Sequence, residues 1–231
     1  MNTDLQGKQI VVTGATGGLG PAVVAALLEA GASCHLPLRD TAPPAAAPTS
    51  DRVRHAGGID LTDEGSVARF YAELPSLWAS VHIAGGFAAA PITETTLADF
   101  RRQMDINLTT AFLCSREAVR RLRAAAAGGR IVNIGSRAAL ERKGGSIAYS
   151  VAKSGVLALT ECLADEVKAD GILVNAVVPS IIDTPTNRHA MLGAPYDRWP
   201  KPAQIAAAIV WLCSGNNQLV SGAALPVYGS L

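Results

Sequence analysis

Short apolar runs and longer amphipathic stretches alternate along the whole chain. Runs of strand length stand at residues 9–13, 33–38, 53–59, 80–83, 130–134, 172–178 and 223–227. Between them, apolar positions recur at helical spacing over residues 18–30, 63–74, 96–127, 147–169 and 202–214. Strands apolar on both faces, separated by amphipathic helices, predict a parallel sheet covered on both sides, an α/β doubly wound fold of seven strands. No internal repeat breaks the alternation, so a single domain is expected over residues 1–231. One segment departs from the pattern. Residues 41–50 (TAPPAAAPTS) stand where such a fold normally carries a helix, but three prolines prevent a regular one, and an exposed loop is predicted.

Composition narrows the function classes. With 231 residues and 49% hydrophobic positions, the chain is long enough for one large core. Charged residues make up 17%, and 20 Lys plus Arg against 19 Asp plus Glu leave a net charge of +1. That balance creates no field attracting nucleic acid or an anionic membrane, and neither is expected as a partner. No uncharged apolar run reaches about 18 residues, and the opening MNTDLQGK is polar. A cytoplasmic location is therefore expected. Cys34, Cys114, Cys162 and Cys213 are far apart, as are His35, His55, His82 and His189, so no metal site is expected and the cysteines read as small buried apolar residues.

The first apolar run leads into TGATGGLG, residues 13–20, and then at once into an amphipathic helix. Gly14 permits a tight turn, while Gly18 and Gly20 remove side chains where backbone must approach a pyrophosphate and where helix must pack on sheet. The helix N-terminus then offers unpaired N–H groups and a positive dipole end to phosphate, and Pro21 costs nothing in the first turn. At the end of the second strand, HLPLRD, an acid would hold the ribose hydroxyls of NAD and an arginine would pair with the 2′-phosphate of NADP. Leu38 followed by Arg39 favours NADP, and Asp40 leaves NAD as the alternative.

Tyr149 and Lys153 (YSVAK) lie one helical turn apart and so share a face, which holds an ammonium near a phenol. Ser136 follows the strand RIVNI, at the strand edge where doubly wound sheets bind ligands. Taken together, the glycine turn, an Asn in a long helix, Ser136, YxxxK and the later VNAVVP segment resemble the short-chain dehydrogenase/reductase family over nearly the whole chain. The resemblance implies a seven-stranded Rossmann domain with roles at the matching positions. Tyr149 would be the general acid or base, Lys153 would bind the nicotinamide ribose and lower the phenol's pKa, Ser136 would hold the substrate oxygen, and Asn107 would complete a proton relay through water. A cation within about 4–6 Å lowers a phenol pKa by roughly 1–3 units, so the pairing is chemically sound.

The resemblance also assigns a cofactor cleft. It places Thr16 and Leu19 in the glycine turn, Asp60 and Leu61 at the adenine, and Ala84 and Gly85 beside the cofactor, although His82 and Ile83 replace two asparagines usual in the family. It has Pro179, Ile182 and Thr184 closing over the nicotinamide, with Ser180 replacing a glycine. Residues 184–201 read as an irregular substrate lid whose Met191, Tyr196 and Trp199 suit a hydrophobic ketone or secondary alcohol as small-molecule substrate. The family implies a homodimer or homotetramer pairing the helices of Asn107 and Tyr149 through residues such as Leu113, Val156 and Leu159. Two alternatives stand beside this reading. HIAGGF and DTPTNRHAM resemble dihydropteridine reductase, which would reduce quinonoid dihydropterin, although Ser136 and Leu38 depart from that subgroup. A dinucleotide-binding sensor without turnover is the other, against which the complete set Asn107, Ser136, Tyr149 and Lys153 argues.

Overall fold

In the computed structural model, which describes residues 4–230, the apolar runs form seven strands. They are β1 (Gln9–Thr13), β2 (Ser33–Pro37), β3 (Val53–Ala56), β4 (Ala79–His82), β5 (Gly129–Ile134), β6 (Ile172–Pro179) and β7 (Ala224–Val227). All pair in parallel, in the order β3-β2-β1-β4-β5-β6-β7. The chain reverses its direction of winding between β1 and β4, which opens a crevice at the C-terminal ends of those strands.

Helices α1 (Gly20–Glu29) and α8 (Pro202–Cys213) pack together on one face of the sheet. Val23 and Leu27 of α1 and Ile205 and Ile209 of α8 meet Ile10, Val12 and Leu36 there. The other face carries α2 (Glu64–Ala72), α4 (Thr110–Ala125) and α6 (Ile147–Glu166), with Val67, Phe70, Leu113 and Val119 around Ile131 and Val174. Removing each such side chain from water contributes about 1.5–3 kcal/mol, which is why the apolar runs dictate the sheet. By length and composition α6 could cross a membrane, but it carries Lys153 and buries Ala152, Val156, Leu157 and Thr160 in this protein's interior.

Four expectations are corrected here. The helix expected over residues 96–127 is interrupted: α3 (Leu97–Met104) passes through a π turn at Asp105–Thr109 before α4, and the Thr110 N–H reaches back to the Asp105 carbonyl. A short helix, α5 (Arg137–Glu141), follows β5, and α7 (Pro185–Ala190) occupies the segment expected to be irregular. In α7, Thr184 caps the first turn by accepting from the Asn187 N–H and Pro185 takes the position where no donor is needed. Leu113 and Val156, expected at an intersubunit face, lie in the core, whereas Phe112 and Val151, each 46% exposed, point outward. Cys162 is exposed, unlike the other three cysteines. Burial pushes the thiols of Cys34, Cys114 and Cys213 up to about 12, so none of those three is a ready nucleophile.

The segment 41–50 is the exposed loop its prolines predict, apart from buried Ala47. It crosses so close to the end of β3 that a Cβ at Gly57 would stand 2.2 Å from the Thr41 carbonyl oxygen.

His82, standing where the resemblance leads one to expect an asparagine, makes a polar tie inside the sheet by its own means. Its Nδ1 donates to Asn133 Oδ1 (2.8 Å) on the neighbouring strand, and Asn133 Nδ2 donates to Thr160 Oγ1 (2.9 Å) on α6. That tautomer leaves Nε2 to accept from Ser80 Oγ (2.9 Å), which accepts in turn from the Tyr71 hydroxyl (2.7 Å) on α2. One chain of hydrogen bonds therefore runs from α2 through β4 and β5 to α6. Burial holds the imidazole pKa down at about 4, against the pull of the Asn133 hydrogen bond.

Because His82 takes up its proton more readily once unfolded, its contribution to stability is intact above pH about 6.5 and lost as pH falls toward 4. The shift predicts a loss of about 2–3 kcal/mol between neutral pH and pH ~4.5 that His82→Asn should largely remove. Urea unfolding of both proteins across that range checks it, and parallel stability curves would show that His82 is not kept neutral.

Candidate active site

The crevice between β1 and β4 is built from backbone. Gly14 has φ +67°, and a Cβ there would lie 2.7 Å from the Ala84 nitrogen. The Ala84 N–H donates to Thr13 Oγ1 (3.1 Å), so the ends of β1 and β4 are clipped together directly under the turn. Gly20 packs against the turn's own carbonyl, leaving 2.4 Å between a notional Cβ and the Gly14 oxygen. Gly18 faces Thr184, whose Cγ2 would be 2.8 Å from a Cβ at that position. Leu19 caps α1 without a side-chain hydrogen bond among the described residues, leaving the first-turn amides open to an acceptor. Bare backbone at Gly14, Gly17 and Gly18 beside such a helix end fits the pyrophosphate of a dinucleotide.

From this turn a cavity of about 920 Å³ runs past Leu19, Ala84 and Gly85 to Ser136, Tyr149 and Lys153. Pro179, Ile182 and Thr184 form its opposite wall, and Met191 borders it from the end of α7. Lys153 is buried, and its Nζ donates to the Ile134 carbonyl (2.7 Å) at the end of β5. Desolvation brings the ammonium pKa down to about 8, so the group is still mostly protonated at neutral pH.

Ser136 begins α5, where its Oγ accepts from the Ala138 N–H (3.2 Å) and keeps its own proton available to donate. Burial pushes the Tyr149 phenol above its ordinary value, while a hydrogen bond with Ser136 pulls it the other way. The lowering expected from Lys153 is not what this geometry gives, because the ammonium is directed at the Ile134 carbonyl. The Tyr149 ring is also held edge-to-face by Phe87, with centroids 4.9 Å apart.

Asn107 occupies the π turn, and its side chain is fully engaged. Nδ2 donates to the carbonyls of Gly86 (2.9 Å) and Gln103 (3.1 Å), and Oδ1 accepts from the Gly86 N–H (3.2 Å). The side chain thus acts as a clasp on the loop after β4. Gly85 makes room for it: a Cβ there would meet Asn107 Oδ1 at 2.6 Å and Lys153 Nζ at 3.5 Å.

Other expected residues lie outside the cavity wall. Thr16 is exposed on the turn, and Arg39 and Asp60 are exposed at the ends of β2 and β3, where Arg39's charge reaches Asp60. Hydrogen bonds from Thr62 are the main cause of Asp60's lowered pKa, and the cap of α2 is Asp63. Leu61 packs toward the α2–α4 core. Tyr196 and Trp199, expected to touch substrate, instead anchor the segment after α7. The Tyr196 hydroxyl donates to the Met191 carbonyl (2.9 Å) and accepts from the Gly193 N–H (3.1 Å), while Trp199, 2% exposed, packs edge-on against its ring. Asp183 ties the start of the segment 184–201 to its end by pairing with Arg188 and Lys201, which holds its carboxyl well below the usual carboxylate range. Phe87, Gln103 and Arg137 were not singled out from the sequence, where nothing in local periodicity separates them from other loop and helix residues.

Residues 8–193 match the short chain dehydrogenase family. The chain belongs to the short-chain dehydrogenase/reductases. Among the relatives of this dehydrogenase, cis-4-hydroxycyclohexanecarboxylate dehydrogenase of Sinomonas cyclohexanicum is 38% identical over 238 residues, covering 95% of this chain and 94% of that one. D-threitol dehydrogenase of Mycolicibacterium smegmatis is 33% identical over 242 residues, covering 97% and 93%. A solved short chain dehydrogenase/reductase family protein superposes with a TM-score of 0.89 at 31% identity, covering 98% of this chain and 97% of that one. A short-chain type dehydrogenase/reductase from Mycobacterium ulcerans gives 0.86 at 26% identity, covering 98% and 90%. As a short-chain dehydrogenase/reductase, the protein is an oxidoreductase of the class that uses a nicotinamide dinucleotide.

The clasp predicts a graded effect of side-chain bulk. Gly85→Ala forces the Asn107 amide or the Lys153 ammonium away and should lower kcat about 100-fold, as misplacement by about 1 Å does. Gly86→Ala meets only the end of the Ile106 side chain and should be milder. Equal kcat values for the two variants would show that the clasp does not position the site.

Proposed function

We propose that this protein is an NADPH-dependent oxidoreductase interconverting a hydrophobic ketone and its secondary alcohol. The observation that carries this reading is the convergence of Ser136, Tyr149 and Lys153 on the cavity into which the glycine turn opens. The nicotinamide would supply or accept the hydride. Ser136, its oxygen already accepting from Ala138, donates to the substrate oxygen as negative charge gathers there. Tyr149, kept protonated by burial, gives that oxygen its proton in the reductive direction. Lys153, anchored on the Ile134 carbonyl, would hold the cofactor's ribose.

Arg39, exposed at the end of β2, supports the choice of NADPH, and Asp60 beside it would meet the adenine end. Buried Leu38 leaves no acid at the position usual for an NAD-preferring or pterin-reducing relative, and Ser136 on the cavity wall further favours a ketone over a quinonoid pterin. The names of the two relatives, a hydroxycyclohexanecarboxylate dehydrogenase and a threitol dehydrogenase, agree with alcohol chemistry. The segment 184–201 acts as the substrate lid, with Thr184, Thr186, Asn187 and Met191 bordering the cavity. Two copies pair through the outward faces of α4 and α6, where Phe112, Ile147 and Val151 are exposed.

Tyr149→Phe removes the proton donor while the ring still packs on Phe87, so kcat should fall about 100-fold or more with NADPH affinity nearly unchanged. A panel of ketones with NADPH, followed by the change in nicotinamide absorbance, gives the measurement. Retention of more than about a tenth of wild-type kcat would sink the assignment.

Cofactor choice supplies the second check. A charge-assisted pair between Arg39 and the 2′-phosphate is worth about 1.5–3 kcal/mol, or roughly 10- to 150-fold in affinity. In Arg39→Asp the phosphate meets a carboxylate and the ribose hydroxyls gain an acceptor, so the preference should reverse toward NADH. A wild type that prefers NADH and reduces quinonoid dihydropterin faster than any ketone would give the pterin reading precedence.

A further inference from the structure

Beyond Ser136 the cavity wall changes character. The residues that continue it are Arg137, Glu141 and Lys143, from α5 and the loop after it. Glu141 lies between the two cations, accepting from Arg137 Nε (2.6 Å) and pairing with Lys143 Nζ (2.9 Å). Arg137 also stacks on the Tyr228 ring, its guanidinium carbon 5.1 Å from the ring centre. Tyr228 is held in turn by its own carbonyl, which accepts from Ser180 Oγ (2.8 Å) on the cavity wall. The guanidinium is thus fixed in orientation by an ion pair on one edge and an aromatic face beneath it.

We propose that Arg137, assisted by Lys143, receives a carboxylate borne by the substrate. The proposal names the substrate class for the oxidoreductase site described above and rests on that reading. Among the described residues, the only side-chain hydrogen bond Arg137 makes is through Nε, so both terminal nitrogens of its fork remain to be used. Two parallel N–H donors in a fixed plane match the two oxygens of a carboxylate. Charge arithmetic points the same way: two cations and one carboxylate leave the trio one positive charge, which balances a monoanion. A dianionic phosphate would be under-neutralised there and would meet Glu141. Position constrains the ligand further. Arg137 follows Ser136 directly, but its guanidinium stands at the end of a long stem against Tyr228. The carboxylate would therefore be held away from the Ser136 hydroxyl by the length of that stem, so the substrate carries it apart from its reacting carbon. A hydroxy or oxo acid of that shape suits the cavity.

The probe is cyclohexanecarboxylate, with cyclohexanecarboxamide as its uncharged counterpart. Binding is measured by titration calorimetry on the whole protein, with and without saturating NADP⁺. The acid should bind about 10- to 150-fold tighter than the amide to the wild type, the range expected for a charge-assisted bidentate pair. Arg137→Met should abolish that preference, and Arg137→Lys, which keeps the charge without the fork, should retain only part of it. Thermal midpoints confirm that both variants are folded. Equal binding of acid and amide, binding of neither, or a preference that survives in Arg137→Met overturns the proposal. Because the readout is binding, it separates from the oxidoreductase reading: Tyr149→Phe should keep the acid preference while losing turnover. A Tyr149→Phe protein that still turns over would sink the reaction assignment, whereas an acid preference absent from an active wild type would sink only the carboxylate site.

Discussion

An ammonium group shut away from water must be given an acceptor, and the site of this enzyme is arranged around that requirement. Lys153 meets it with the Ile134 carbonyl at 2.7 Å, which fixes α6 against the end of β5. Tyr149 is one turn earlier on the same helix, and Ser136 is two residues beyond Ile134 on the strand's continuation. A single hydrogen bond therefore sets phenol and hydroxyl relative to each other. It does not do so by adding stability. The fall of the Lys153 pKa from 10.5 to about 8 corresponds to roughly 3 kcal/mol against the charged form, comparable to what a hydrogen bond to a charged group returns. A buried lysine that gains the fold so little is a residue retained for chemistry.

The rest of the architecture works to bring backbone close to that lysine. Gly85 passes near both Lys153 and Asn107, and the π turn carries Asn107 to the position where its amide can grip the Gly86 peptide from both sides. A π turn adds one residue to a helical turn and so re-aims the turns after it, which is how one helix can serve the site at Asn107 and the core at Leu113. Beneath the site, the chain from Tyr71 through His82 and Asn133 to Thr160 ties the same two strands, β4 and β5, to the helices on that face. Where the resemblance leads one to expect an asparagine, a larger side chain makes this tie and introduces a titratable ring.

How much of this can be read in the sequence depends on the range of the interaction responsible. Strands were legible because burial on both faces leaves few polar positions, and the glycine turn and YxxxK were legible because each is local. The π turn was not, since no proline or glycine marks it and the amide partner at Gly86 is remote in sequence. Leu113 and Phe112 are neighbours on one helix, so helical spacing alone could not say which of them faces the sheet. Tyr196 and Trp199 show the same limit in a loop: an aromatic there serves equally as a substrate wall or as an anchor, and only the hydrogen bonds of Tyr196 and the burial of Trp199 decide for the anchor. The helix at Pro185–Ala190 could have been read, because Thr184 followed by Pro185 is a helix-start signal inside a segment that otherwise reads as irregular.

Chemistry and selectivity occupy different parts of this fold. Tyr149 and Lys153, the proposed reacting pair, stand on α6, which packs against the sheet and is fixed to the end of β5 through the Ile134 carbonyl. The residues that border the far end of the cavity stand on α5, five residues long, and on the segment after β6 whose ends Asp183 joins through Arg188 and Lys201. Ser136 joins the two regions, because its oxygen caps α5 while its proton faces the reacting end. The two regions are nonetheless in contact: Ser154 Oγ, next to Lys153 on α6, donates to the Ala139 carbonyl of α5 (3.3 Å), so a change in α5 reaches the helix that carries Lys153.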